Sequence, residues 1–339
     1  MEVSARIASL ELAETFVISR DATDVAEVVH VEIRHEGATG FGEGAPIEHY
    51  GESAESALAY VEEHADVLGD DPFALEEVES RLEAREWAAR SAIDAALYDL
   101  QGKLLGVPVW RLLGLRPEGP PTSWTIWLGD PDDMARRAAA VGDRFLRLKL
   151  KLGACDGLDI ERVRAVHATT EMPLQVDVNE YWTLDEALDA LPQLAELRVE
   201  YCEQPLPAGD PGGARLKRES PIPIYVDEDC HRLGDVAACA ERAHGVNIKL
   251  AKTGGIREAA RMVHAARALG LGVMLGCMIE SGLGIAAAAQ IASLCDNVDL
   301  DGNLLLAHDP WPGVAFRDGV QVPSDEAGLG VRQEVPSPR

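Results

Sequence analysis

From about residue 122 the chain repeats one theme, a short apolar strand followed by an alanine-rich helical segment, and that repeat limits the folds open to it. Eight strand segments stand out: SWTIWLG (123–129), LRLKLKLG (146–153), LQVDVNE (174–180), LRVEYCEQP (197–205), IPIYVDED (222–229), GVNIKLAK (245–252), GVMLGCMIE (272–280) and NVDLDG (297–302). Intervening stretches such as PDDMARRAAAVG and GIREAARMVHAARALG carry helical segments, the latter with apolar residues at helical spacing and glycine at its end. Strands alternating with helices build a parallel sheet, and eight of them close into a TIM-like barrel. Roughly 180 residues is short for eight complete units, so the last helix is expected to be missing, a (β/α)7β barrel in the α/β class.

Residues 1–120 read differently, with alternating strands around AEVVHVEIRHEG, a turn through GFGEGAP, and helices in AESALAYVEEHADVL and REWAARSAIDAALYDLQGKLLG. That is an α+β capping region, divided from the barrel of 121–305 by the Pro- and Gly-rich RPEGPPTSW. Residues 306–339 are expected to return to the cap through a hairpin with an Asp-Gly turn in GVAFRDGVQV, ending in a loose VPSPR tail. GFGEGAP lacks the following helix that a dinucleotide loop needs, so phosphate binding is not assigned to it.

The strand LRLKLKLG bears on function. Leu146, Leu148, Leu150 and Leu152 alternate with Arg147, Lys149 and Lys151, so leucines point one way and cations the other. Of 31 basic residues only six are lysine, and four of these form the pairs Lys149/Lys151 and Lys249/Lys252. A lysine can lose its proton and act as a base where guanidinium cannot. Against a net charge of −27 such positive sites stand out, and that charge argues against nucleic acid or an anionic membrane as a partner. No signal peptide, no apolar run of membrane-spanning length and no CxxC pair among the six cysteines is present, which predicts a cytoplasmic protein with reduced thiols. The sequence leaves a homo-oligomer open.

Catalytic groups of such barrels sit at the carboxyl ends of strands. Collected there are Lys149, Lys151, Asp177, Asn179, Glu203, Asp227, Glu228, Lys249, Asp299 and Asp301. Parity turns Leu174, Val176 and Val178 toward the helices and Asp177 and Asn179 into the lumen; Lys249, Asp299 and Asp301 face inward by the same rule. Buried charges must be paired or bind metal. Asp177, Glu203 and Asp227 make an all-oxygen half-cage suited to Mg²⁺. Lys151 and Lys249, across the barrel from each other, are expected to act as bases on opposite faces of a carboxylate's α-carbon, their proton affinity lowered by the metal and neighbouring cations. Lys149 would stabilise the resulting ene-diolate.

The order KxK, DxN, E, DE, KxxKxGG, with CEQPLP around Glu203 and VDED around Asp227, resembles the enolase superfamily in its muconate-lactonizing subgroup. The resemblance implies a lysine base and magnesium stabilising an ene-diolate, with Asp177, Glu203 and Asp227 as metal ligands and Lys151 and Lys249 as the acid/base pair. Asn179, Glu228 and Lys252 fall behind them. DLDG resembles the dipeptide epimerases, implying that Asp299 and Asp301 receive a substrate ammonium. GCMIES, with Met278, and Thr125 resemble the same branch, although Asn303 stands where a proline is expected. Arg20 falls near the position at which Ala-Glu epimerases carry a cation for the glutamate side chain, and Tyr50 lies on a loop expected near the mouth. The resemblance therefore implies Mg²⁺-dependent epimerisation of a dipeptide at its C-terminal residue, of the L-Ala-D/L-Glu type linked to cell-wall peptide turnover. An o-succinylbenzoate synthase, a muconate-type cycloisomerase, an N-acyl amino acid racemase and a catalytically idle binding protein are the alternatives. The first two have no ammonium for the acidic pair.

Overall fold

A computed structural model describes residues 1–334; the VPSPR tail lies outside the described residues. The chain opens with an antiparallel sheet of β1 (Glu2–Val17), β2 (Ala22–His35) and β3 (Ala38–Gly44). On β2 the buried Val29, Val31 and Ile33 face the helices, as a period of two requires, and pack with Ala89, Ala92, Ile93, Ala96 and Leu97 of the helix Trp87–Leu105. GFGEGAP is explained by this packing. A Cβ on Gly40, Gly42 or Gly44 would lie 2.1, 2.0 and 2.0 Å from the carbonyl oxygens of Ala96, Ala92 and Ala88. Every second residue of β3 thus meets every fourth of the helix, at a distance no side chain permits.

The barrel strands are β4 (Trp124–Ile126), β5 (Leu148–Lys151), β6 (Leu174–Asp177), β7 (Val199–Glu203), β8 (Ile224–Val226), β9 (Gly245–Lys249), β10 (Gly272–Gly276) and β11 (Asn297–Asp299). Among the described residues they form one parallel sheet in sequential order, closed by the bridge from Thr122 to Val298. The helices Pro131–Ala140, Asp159–His167, Leu184–Glu196, Gly213–Glu219, Val236–Arg242, Ile256–Ala268 and Gly282–Ala289 follow β4 to β10 in turn. After β11 comes only the 3₁₀ turn Gly302–Leu305, so the barrel is (β/α)7β as expected. Leu148, Leu150, Leu152, Val176 and Val178 pack outward against helices, whereas Tyr201, Tyr225 and Met274 fill the lumen below the site. Burying each such aliphatic side chain stabilises the fold by about 1.5–3 kcal/mol.

Besides the turn read at GFGEGAP, whose glycines lie in the strand β3, three local readings change. Leu146 lies before β5 and is 47% exposed, so the leucine stripe begins at Leu148. The strand read over 245–252 stops at Lys249, and Leu250–Thr253 makes a helical turn ended by Gly254 and Gly255 at φ 91 and 121. Those left-handed values are what GG supplies. The hairpin of β12 (Ala315–Arg317) and β13 (Val320–Val322), turned by Asp318 and Gly319 at φ 50 and 77, sits on the barrel with the rings of Phe316 and Phe145 4.9 Å apart. The residues after it reach the cap: the Leu329 amide donates to Asp99 at 2.7 Å on the helix Trp87–Leu105. Among the described residues no helix is long and apolar enough to cross a membrane, and all six cysteines are unpaired.

Candidate active site

The parallel register brings the polar strand ends together. Lys151 lies beside Asp177, and Asp177 beside Glu203. Asp227 follows β8, and Lys249 ends β9. In the ring β5 and β9 are four strands apart, so Lys151 and Lys249 enter from opposite sides. All are at least nine-tenths buried. Lys151 Nζ is 2.7 Å from Asp177 and 3.4 Å from the Asn179 side-chain oxygen. Lys149 Nζ lies 3.2 Å from Asp177, 2.8 Å from Glu203 and 2.8 Å from Asp299. Lys249 Nζ is 2.7 Å from Asp227. Lys252, carried back by the turn after β9, donates to the Asp227 carboxylate and to the carbonyls of Asp227, Cys230 and Asn247 at 2.7, 3.0 and 3.2 Å. Lys252 therefore supports Asp227 from below, outside the cleft.

This density of opposite charge sets the protonation states. Burial alone would raise Asp177, but Lys151 and Lys149 hold it well below the usual carboxylate range. Asp227 is likewise held down, against burial, by Lys249 and Lys252. Glu203 goes the other way, raised by burial and by Asp177. Burial would lower Lys249 and Lys149, yet Asp227 and Glu203 drive the first upward, and Asp299, Glu203 and Asp177 the second. Within the protein alone carboxylate outweighs ammonium around Lys149 and Lys249; the lowered proton affinity expected of Lys151 and Lys249 is that of the metal-loaded site.

Among the described residues no three His, Cys, Asp or Glu side chains are arranged, as placed, to hold a metal ion by themselves. The amines stand between the acids. The donor set nonetheless fits a hard divalent cation: three wholly buried carboxylates at neighbouring strand ends, with Glu203 Oε2 and Asp227 Oδ2 at ion-pair distance from amines but without a hydrogen bond. Asn247, not expected as a site residue, donates to Glu203 at 2.7 Å. Its lumen parity with Lys249 was the available signal.

Above the charges, between cap and barrel, lies a cleft of about 850 Å³ lined by Lys149, Lys151, Lys249, Asp299, Asp301 and Thr125, with Asn179, Met278, Arg20 and Tyr50 farther out. The Thr125 amide donates to Asp301 at 2.7 Å and so orients it. Burial and the charge of Asp299 push Asp301 up to about 7. Asp299 spends one oxygen on Lys149, while its other oxygen is buried without a partner. Met278 packs against Leu10, Val28, Ala45 and Leu306. Arg20 is already engaged, 2.8 Å from Glu228 and 3.6 Å from Glu180. Glu228 is pushed up to about 7 by burial, Asp227 and Asp177. Tyr50 meets the His231 ring edge-on at 4.4 Å.

Residues 2–114 match the family described as mandelate racemase/muconate lactonizing enzyme, N-terminal domain, and 133–334 match the enolase C-terminal domain-like family. The chain is 38% identical over 328 residues to the L-Ala-D/L-Glu epimerase of Bacteroides thetaiotaomicron, covering 95% of this chain and 85% of that protein. A dipeptide epimerase of Enterococcus faecalis, solved with Mg and L-Leu-L-Tyr, superposes with a TM-score of 0.93 at 32% identity, covering 97% and 98% of the two chains. The muconate lactonizing enzyme of Pseudomonas fluorescens, solved with muconolactone, also gives 0.93 at 30% identity, covering 98% and 96%. The shape of the backbone therefore does not separate these reactions; side chains do.

Proposed function

The chain belongs to the mandelate racemase/muconate lactonizing enzyme family of the enolase superfamily, and we propose that it epimerises dipeptides at the α-carbon of their C-terminal residue. The observation that carries this reading is the acidic pair closing the cleft. Asp299 keeps one buried oxygen without a partner, and Asp301, raised by burial and by the charge of Asp299, has affinity for a positive charge. A dipeptide brings that charge as its ammonium group, whereas a lactone or a succinylbenzoate does not.

Asp177, Glu203 and Asp227 would hold Mg²⁺, which when bound supplies positive charge to a carboxylate becoming an ene-diolate. Lys149, kept protonated by Asp299, Glu203 and Asp177, adds a fixed positive charge beside that carboxylate. One of Lys151 and Lys249, as neutral amine, takes the α-proton from one face. The other, as ammonium, returns a proton to the opposite face. The configuration inverts and no proton is gained or lost overall. Thr125 orients Asp301 through its amide.

The substrate is proposed to be of the L-Ala-D/L-Glu type, because Arg20 lines the cleft and a side-chain carboxylate would compete with Glu228 for its guanidinium. Incubating the protein with Mg²⁺ in D₂O and a dipeptide panel that includes L-Ala-L-Glu and L-Leu-L-Tyr tests the reading by mass shift at the C-terminal residue. Deuterium entering N-succinyl amino acids but no free dipeptide would assign it to the acyl amino acid racemases.

A further inference from the structure

Glu180, an acid at the rim, has no part in the chemistry above. It follows Asn179 after β6, and the two residues stand at φ 77 and 48, consecutive left-handed conformations that glycine would adopt without strain. Both side chains are engaged. Asn179 turns inward to Lys151, and Glu180 turns outward to the cap. Its Oε2 lies 2.9 Å from His49 Nε2 and 3.6 Å from Arg20 Nη1, while its other oxygen accepts from the Ala208 amide at 2.8 Å. The Glu180 amide donates to the Gln204 carbonyl at 2.8 Å, which anchors the loop to the barrel. The Glu180 side chain is 15% exposed and that of His49 39%, so the contact sits at the edge of the cleft with water on the His49 side.

His49 and Arg20 belong to two separate cap segments, residues 47–53 and 18–21, and both segments line the cleft. We propose that Glu180 is a positioning residue that clasps both segments onto the barrel mouth and thereby sets how tightly a substrate is held. The proposal rests on the epimerase reading only where catalysis is measured. Arg20 has a second carboxylate partner in Glu228, and its segment is also tied by the Leu128 amide donating to the Val17 carbonyl at 2.9 Å. For His49 the carboxylate of Glu180 is the polar tie to the barrel, beside the edge-on contact of Tyr50 with His231. Loss of Glu180 should therefore release 47–53 more than 18–21.

The test uses the full chain as Glu180→Ala and Glu180→Gln. Amide hydrogen exchange in Glu180→Ala should quicken at 47–53, less at 18–21 and not in the barrel strands. KM for L-Ala-L-Glu should rise about tenfold with kcat within about twofold. Glu180→Gln, which keeps the acceptor for Ala208, should fall between. His49→Gln, which breaks the clasp from the cap side, should reproduce the faster exchange at 47–53 even if Glu180→Ala fails to fold. Unchanged exchange at 47–53 in Glu180→Gln and His49→Gln overturns the clasp, as does a loss of kcat at constant KM. If no dipeptide is turned over, the exchange comparison decides the clasp alone while the epimerase reading fails separately.

Discussion

Asp299→Asn should move a pH profile as well as lower a rate. Asp301 is held near 7 by burial and by the charge of Asp299, with the Thr125 amide and Lys149 pulling the other way. A carboxylate must be ionised to receive an ammonium, so kcat/KM for a dipeptide should climb as pH rises through about 7. Asparagine at 299 removes the charge that raises Asp301, so that limb should shift toward acid by on the order of one unit, about 1.4 kcal/mol of differential interaction. The variant also loses the partner of Lys149 at 2.8 Å, but Lys149 retains Asp177 and Glu203. Asp301→Asn has no such compensation. Removing one member of a desolvated charge pair costs about 2–5 kcal/mol, or roughly 30- to 5000-fold in kcat/KM. N-acetylation of the dipeptide should cost the wild type a similar factor, and the two losses should not add, because each removes the same interaction. Initial rates of deuterium incorporation at pH 5.5 to 9, with free and N-acetylated dipeptide, measure all of this. Equal rates for the two substrates, or an acid limb unmoved in Asp299→Asn, would refute the ammonium pocket.

Lys151→Ala and Lys249→Ala should each abolish epimerisation while still exchanging the α-proton of one enantiomer, read by NMR in D₂O; racemisation persisting in either breaks the two-face scheme. Glu280 is wholly buried and pushed up to about 8, chiefly by burial. Because its folded value lies above the unfolded one of about 4.5, its contribution is complete below pH 4.5 and lost as pH rises through 8. Chemical melts should therefore lose up to about 1.4 kcal/mol per pH unit in that window, and Glu280→Gln, which keeps an acceptor for the Met278 amide, should flatten the slope. Gly42→Ala, whose Cβ would sit 2.0 Å from the Ala92 oxygen, should destabilise the cap by about 1–3 kcal/mol, seen as a lowered Tm.

Much of the barrel was legible because a strand's side chains alternate with a fixed period of two. That period made Leu148, Leu150 and Val176 outward and Lys149, Lys151, Asp177 and Lys249 inward without any knowledge of neighbours. The brevity of the repeat likewise implied the missing last helix. Strand ends were less legible: nothing in LAKTGG before folding says that Lys252 turns back beneath Asp227, since that turn is stabilised by carbonyls of Asp227 and Cys230 more than twenty residues away. The glycines of GFGEGAP looked like a loop, and only the approach of Ala88, Ala92 and Ala96 gives them a reason. Electrostatics belonged wholly to the tertiary structure. Sequence placed cations and acids at one mouth, but whether a lysine is pulled down by cations or driven up by carboxylates depends on distances of a few ångströms. Lys149 meets Asp299 across 150 residues, and Arg20 meets Glu228 across 208. Alternation is a local property that the sequence by itself determines; the pairing of charges depends on closing the barrel and seating the cap, which bring together residues that local rules treat as independent.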